Sequence, residues 1–163
     1  MLENWLGLGS IGNLIRIFQN FLVNPAAVVA DALHRAGFSS SRKKVYLIGA
    51  KGVRDEMDEF GIQYFGHGLE RQDDSDGSEF MFDIELEVEP SKVGAVVVGY
   101  EKHFNYHKLM KAANYLQQPR CLFLATNEDE TCPGPNPNII TPDAGKSRRV
   151  RKLRWSFWMT LTS

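Results

Sequence analysis

The run Ala95-Val96-Val97-Val98 offers no polar side chain to either face of a strand, so it constrains the fold most. A strand of this kind must be covered on both sides. Downstream, Tyr106, Leu109, Met110, Ala113 and Leu116 recur at helical spacing, which predicts a helix over 105–117 with those residues on its apolar face. Pro119 closes that helix, and Cys121-Leu122-Phe123-Leu124-Ala125 returns as a strand. The same order occurs once before. Val45-Tyr46-Leu47-Ile48 is a buried strand, Gly49 and Gly52 punctuate a turn into a short acidic helix over 53–60, and Gly61 stops it before a strand over 62–65. Strand, helix and strand, twice over, predict an α/β sheet with flanking helices and parallel pairs joined by right-handed crossovers. Functional loops then belong beyond the carboxyl ends of the strands, at 49–52, 100–104 and 126–138.

The remaining elements are plainer. Ile11, Leu14, Ile15, Phe18 and Leu22 form a helical stripe. A second helix opens at Asn24-Pro25, a cap followed by a residue suited to the first turn, and leaves through Gly37. Residues 66–78 make a polar, acidic loop. Over 80–88, apolar Phe80, Phe82, Ile84, Leu86 and Val88 alternate with Met81, Asp83, Glu85 and Glu87, the two-residue period of a half-buried strand ended by Pro90.

With 163 residues, 43% hydrophobic and 24% charged, the chain fits one domain of ordinary size, and wholesale disorder is excluded. Its longest apolar stretch, 11–33, is interrupted by Arg16, Asn20, Asn24 and Asp31, so no membrane span is expected, and Glu3 argues against a secretory leader. Cys121 and Cys132 give no disulfide framework, which points to a reducing, cytoplasmic compartment. The net charge of -1 conceals a split: all 20 acids lie at or before Asp143, whereas Lys146, Arg148, Arg149, Arg151, Lys152 and Arg154 crowd the last twenty residues. That basic run is read as a solvated extension rather than a nucleic-acid or membrane site.

Several motifs invite chemistry. Asp74-Ser75-Asp76-Gly77 matches an Asp-x-Asp-Gly phosphatase core, in which one Asp attacks phosphorus and the other handles protons beside magnesium. That work requires a buried strand leading into the first Asp. Here a polar stretch precedes it, so the match is read as a decoy in an exposed loop. Gly145-Lys146-Ser147 lacks the upstream glycine of a phosphate-binding loop, where Ile140 stands instead. His103 and His107 lie four apart without further ligands at recognised spacing, so no metal is assigned to them. No complete catalytic set emerges from the residues themselves.

Four segments together carry a resemblance: Lys44-Val45-Tyr46-Leu47-Ile48-Gly49-Ala50-Lys51-Gly52, residues 93–109 (VGAVVVGYEKHFNYHKL), residues 121–133 (CLFLATNEDETCP) and Thr141-Pro142-Asp143-Ala144-Gly145. In this order and spacing the stretch 24–145 resembles the eukaryotic 4-nitrophenylphosphatase branch of the haloacid-dehalogenase superfamily, which includes phosphoglycolate and pyridoxal phosphate phosphatases. The resemblance implies a phosphomonoester hydrolase with an Asp nucleophile and magnesium, acting on a small phosphorylated metabolite. It matches 24–143 to the family's α/β cap with its approach, a mixed sheet with flanking helices, and leaves 1–23 as a divergent helical segment and 144–163 as a divergent basic, aromatic tail. The catalytic Rossmann-like core is missing from the match, as in a splice variant, a fragment or a faulty gene model, so no residue here is assigned a catalytic role. The loop 126–133 corresponds to the family's substrate-specificity loop, with Asn127 and Asp129 at its polar positions. Cys132 stands where the pyridoxal phosphatases carry His. The family's caps also dimerise, which implies a homodimer or a purely associating module as the alternative.

Overall fold

A computed structural model describes residues 24–70, 84–127, 129–132, 134, 136 and 138–144. The expected helix over 11–22, Asp74 and Asp76, the first half of the 80–88 segment, Gly145-Lys146-Ser147 and the basic tail lie outside the described residues.

Helix α1 (Pro25–Arg35) starts as its sequence dictates. The Asn24 side chain accepts from the Ala26 amide at 3.0 Å, and Pro25, lacking an N–H, occupies the first turn. It ends where Gly37 takes φ +87°, which lets the Phe38 amide reach back to Leu33 O at 3.1 Å. Strand β1 (Lys44–Ile48), helix α2 (Lys51–Glu59), strand β2 (Tyr64–Phe65), a single 3₁₀ turn (Pro90–Lys92), strand β3 (Val93–Val98), helix α3 (Tyr106–Leu116) and strand β4 (Leu122–Ala125) follow. A short antiparallel pair, β5 (Thr131–Cys132) and β6 (Thr141–Pro142), ends the described chain.

The four strands form one parallel sheet in the order β2-β1-β3-β4, so the α/β architecture with flanking helices holds. Alternate residues of the central strands feed two cores. Val45, Leu47, Ala95 and Val97 pack with α1 and α2, through Leu33, Val53 and Met57 among others. Tyr46, Ile48, Val96 and Val98 pack with α3, through Ala112, Tyr115 and Leu116. Each fully buried aliphatic side chain here is worth roughly 1.5–3 kcal/mol of transfer free energy, which is why β1 and β3 had to be apolar on both faces.

Four expectations need correction. Helix α3 buries only part of the face drawn from its apolar residues: Leu116 is buried and Leu109 packs against the core as expected, but Lys108, Lys111, Ala112 and Tyr115 also point inward, while Tyr106 is exposed. The lysines are accepted inside because carboxylates and a carbonyl meet them there. Residues 84–88 form no strand of the sheet. Their side chains do alternate, with Leu86 and Val88 packing against the α3-side core, but the Val88 amide donates to the Tyr115 hydroxyl at 3.4 Å rather than to a ladder partner. The strand expected over 62–65 is shorter, Tyr64–Phe65, and α2 begins two residues earlier than expected.

Candidate substrate-loop site

The strand order reverses direction between β1 and β3. From β1 the chain runs through α2 to β2 on one side, and from β3 through α3 to β4 on the other. In open parallel sheets, loops at the carboxyl edge near such a reversal are where ligands meet the fold. The edge is closely knit here. Gly99 N donates to Ile48 O at 2.7 Å, Ala50 N to Tyr100 O at 2.8 Å, and Thr126 N to Val98 O at 2.9 Å. Beyond it, Tyr100 and Phe104 are exposed on the loop between β3 and α3.

The structure places the three residues singled out from the sequence on the loop that leaves β4. Asn127 stands at its base, partly buried, and its Nδ2 donates to Asp143 Oδ2 at 3.0 Å. Its Oδ1 is buried and has no hydrogen-bond partner among the described residues. Asp129 is exposed to solvent, and Cys132 is half-buried on β5 as a free thiol. They therefore share one loop but not one cluster. Asn127 faces the loop's own return, while Asp129 faces water.

Asp143 was not singled out, yet it organises the loop. One carboxylate oxygen accepts from Asn127, the other from the Ala144 amide at 2.7 Å, and the Asp143 amide donates to Glu130 O at 3.0 Å. An Asp after a Pro reads as an ordinary turn residue, so no local signal ties it to Asn127.

A second polar cluster lies under α3. Lys108 Nζ donates to Gly68 O at 2.6 Å and stands 3.6 Å from Glu101 Oε2, with the lysine side chain 1% exposed. Lys111 bridges Glu70 and Glu87, and Glu70 Oε2 is buried without a hydrogen bond among the described residues. Burial pushes the Lys111 pKa down, but the hydrogen bonds and charges of Glu70 and Glu87 outweigh it and hold the ammonium above its usual range. Burial, then Glu70 and Glu87, push the Tyr46 phenol well above its usual range.

Among the described residues no group of three or more His, Cys, Asp or Glu could hold a metal ion. Magnesium needs near-octahedral oxygen ligands. Here Glu70 and Glu87 are bridged by an ammonium, and both oxygens of Asp143 accept N–H donors. The described residues do not fit that ion. Nor is any described helix long and apolar enough to cross a membrane.

No protein-family model matches the chain. It is 36% identical over 141 residues to a NipSnap protein of Caenorhabditis elegans, covering 86% of this chain and 25% of that one. Over 110 residues it is 37% identical to the glycerol-3-phosphate phosphatase of Homo sapiens, covering 68% and 32%. Over 94 residues it is 39% identical to the 4-nitrophenylphosphatase of Schizosaccharomyces pombe, covering 56% and 30%. The matched part thus spans a third or less of each of these relatives. Among solved structures, the glycerol phosphate phosphatase of Mycobacterium tuberculosis in complex with magnesium shares the fold with a TM-score of 0.55 at 20% identity, over 80% of this chain and 32% of that one. These identities and the common α/β fold show that the chain belongs to the haloacid-dehalogenase superfamily, in the branch of the 4-nitrophenyl, glycerol-3-phosphate and phosphoglycolate phosphatases.

Proposed function

We propose that residues 24–143 are the cap-like, substrate-facing unit of a phosphomonoester hydrolase, and that the chain positions a small phosphorylated metabolite without itself breaking the ester. The observation that carries this reading is the loop 127–143. It springs from the carboxyl edge of a parallel sheet near the reversal in strand order, in a chain that is 37–39% identical over its matched part to phosphatases. Asn127, Asp129 and Cys132 would meet the part of the substrate that distinguishes one ester from another. Phosphoryl transfer by this family needs a carboxylate nucleophile, a neighbouring acid and magnesium, which would polarise the phosphoryl oxygens when bound. The described residues supply positioning only, and positioning accelerates nothing unless the reacting groups are present. In this reading the chain works in the cytoplasm, where Cys121 and Cys132 remain reduced.

The test is direct. The purified 163-residue chain is expected to show no magnesium-dependent hydrolysis of 4-nitrophenyl phosphate above a no-protein control, while the human glycerol-3-phosphate phosphatase assayed alongside turns over its own ester. Turnover by the chain that Asp74→Asn abolishes would overturn the reading, because Asp74 would then be a nucleophile and not a decoy.

A second reading, a purely associating module, is favoured by the edge strand β4. Its outer side has no paired strand among the described residues, and Leu122 is 40% exposed. Unpaired edges of this kind are templates for another chain. Sedimentation equilibrium of the purified chain separates the two: a homodimer dispersed by Leu122→Lys supports association, and a monomer at all concentrations refutes it.

A further inference from the structure

The loop beyond β4 returns to the place it left. Thr126 closes the parallel ladder on Val98 O, and the next residue, Asn127, is tied to Asp143 sixteen positions later. Asp143 in turn holds Glu130 O with its amide and the Ala144 amide with its second carboxylate oxygen. One side chain thus joins the end of β4 to the residue after β6, and one backbone amide joins the same point to the start of the hairpin.

Little else described fixes the hairpin. Among the described residues β5 and β6 share two residue pairs, Thr131 with Pro142 and Cys132 with Thr141, and Pro142 has no N–H to donate. A pair so short is not stable alone in water. Ile139 and Ile140, in the turn, are exposed and contribute little burial. The position of the hairpin relative to β4 is therefore set at its base, where the Asn127 amide is held by its Nδ2 bond while its Oδ1 stays unpartnered among the described residues.

We propose that Asn127 and Asp143 form a positioning latch for the loop 127–143, fixing where Asp129 and Cys132 stand. Neither is a catalytic residue. The bearing of the latch on ester selection rests on the function proposed above, whereas the latch itself does not.

Cys132 reports on the latch, because it is half-buried on β5 while Cys121 is 1% exposed and silent in the folded chain. The probe is the rate of Cys132 alkylation by iodoacetamide in the full chain, located by mass spectrometry. Asn127→Asp sets two carboxylates against each other and is expected to raise the rate at least fivefold. The double swap Asn127→Asp with Asp143→Asn restores the bond with its direction reversed. The amide at 143 can accept from Ala144 N through its oxygen and donate through its nitrogen to the carboxylate at 127, so the rate is expected within twofold of the parent. An unchanged rate in the single variant, or a double swap as fast as the single, overturns the latch. If the single variant unfolds, Cys121 becomes modified too, and the double swap decides alone: a parental Cys132 rate with Cys121 silent supports the latch, and a fast one refutes it. Phosphate esters play no part in this assay, so the proposed function can fail while the latch stands, and the reverse.

Discussion

Lys111→Met is the sharpest perturbation of the fold. Lys111 is 10% exposed and touches Glu70, 15% exposed, and Glu87, 50% exposed at 3.0 Å. Removing the ammonium leaves the Glu70 carboxylate buried with no partner among the described residues, where its Oε2 already lacks a hydrogen bond. Breaking a buried ion pair from one side costs about 3–5 kcal/mol. Glu87 can turn to water and its share is small, so the lower bound of about 3 kcal/mol applies. That is a large part of the stability of a domain of this size, and corresponds to a fall in melting temperature of about 10 °C. Urea unfolding followed by circular dichroism measures it. Lys111→Met combined with Glu70→Gln should recover more than half the loss, because the stranded charge is gone. A loss below about 1 kcal/mol for the single variant, or no recovery in the double, would refute the claim that this is a buried, mutually dependent pair.

Three further outcomes follow from the same geometry. Gly66 takes φ +89° and an added Cβ would overlap the Tyr46 ring, so Gly66→Ala should cost about 2 kcal/mol or more in urea unfolding; a neutral variant would contradict the close approach. Stability should fall as pH rises above about 10, because unfolded tyrosine then releases protons that folded Tyr46 retains; Lys111, also raised, loses its contribution as it deprotonates. Tyr46→Phe should leave stability at pH 7 nearly unchanged, its hydrogen bond to Lys108 O being 3.5 Å long, and should flatten the alkaline decline by up to about 1.4 kcal/mol per pH unit. An identical alkaline slope in that variant would count against Tyr46 as its source.

The parts of the fold that were legible are those whose residues decide their surroundings alone. Ala95 to Val98 carry nothing polar and Val45 to Ile48 nothing polar but the Tyr46 hydroxyl, so only a two-sided core suits them, and both cores are there. Asn24 announces a helix start because its side-chain oxygen meets an orphan amide. Lys108 and Lys111 were not legible: their burial depends on Gly68, Glu70, Glu87 and Glu101, up to 41 residues away, and apolar periodicity gives long-range charge no weight. Residues 84–88 show the limit of alternation, which records which side chains are covered but not whether the backbone finds a ladder. At the site, Asn127 was recognised through the family's pattern, while Asp143 became visible only when the hairpin returned it to Asn127.

The central claim is that this α/β unit selects a phosphate ester and does not cleave one. Transplanting this chain's loop 127–143 into the human glycerol-3-phosphate phosphatase, in place of the matching loop, tests it most directly. The readout is the ratio of kcat/KM for glycerol 3-phosphate to that for 4-nitrophenyl phosphate. The account predicts a transplant that still turns over with magnesium and whose ratio moves by about tenfold or more, equivalent to about 1.4 kcal/mol of differential transition-state binding. An active transplant with the parental ratio would contradict it, because the loop would then have no voice in which ester is chosen.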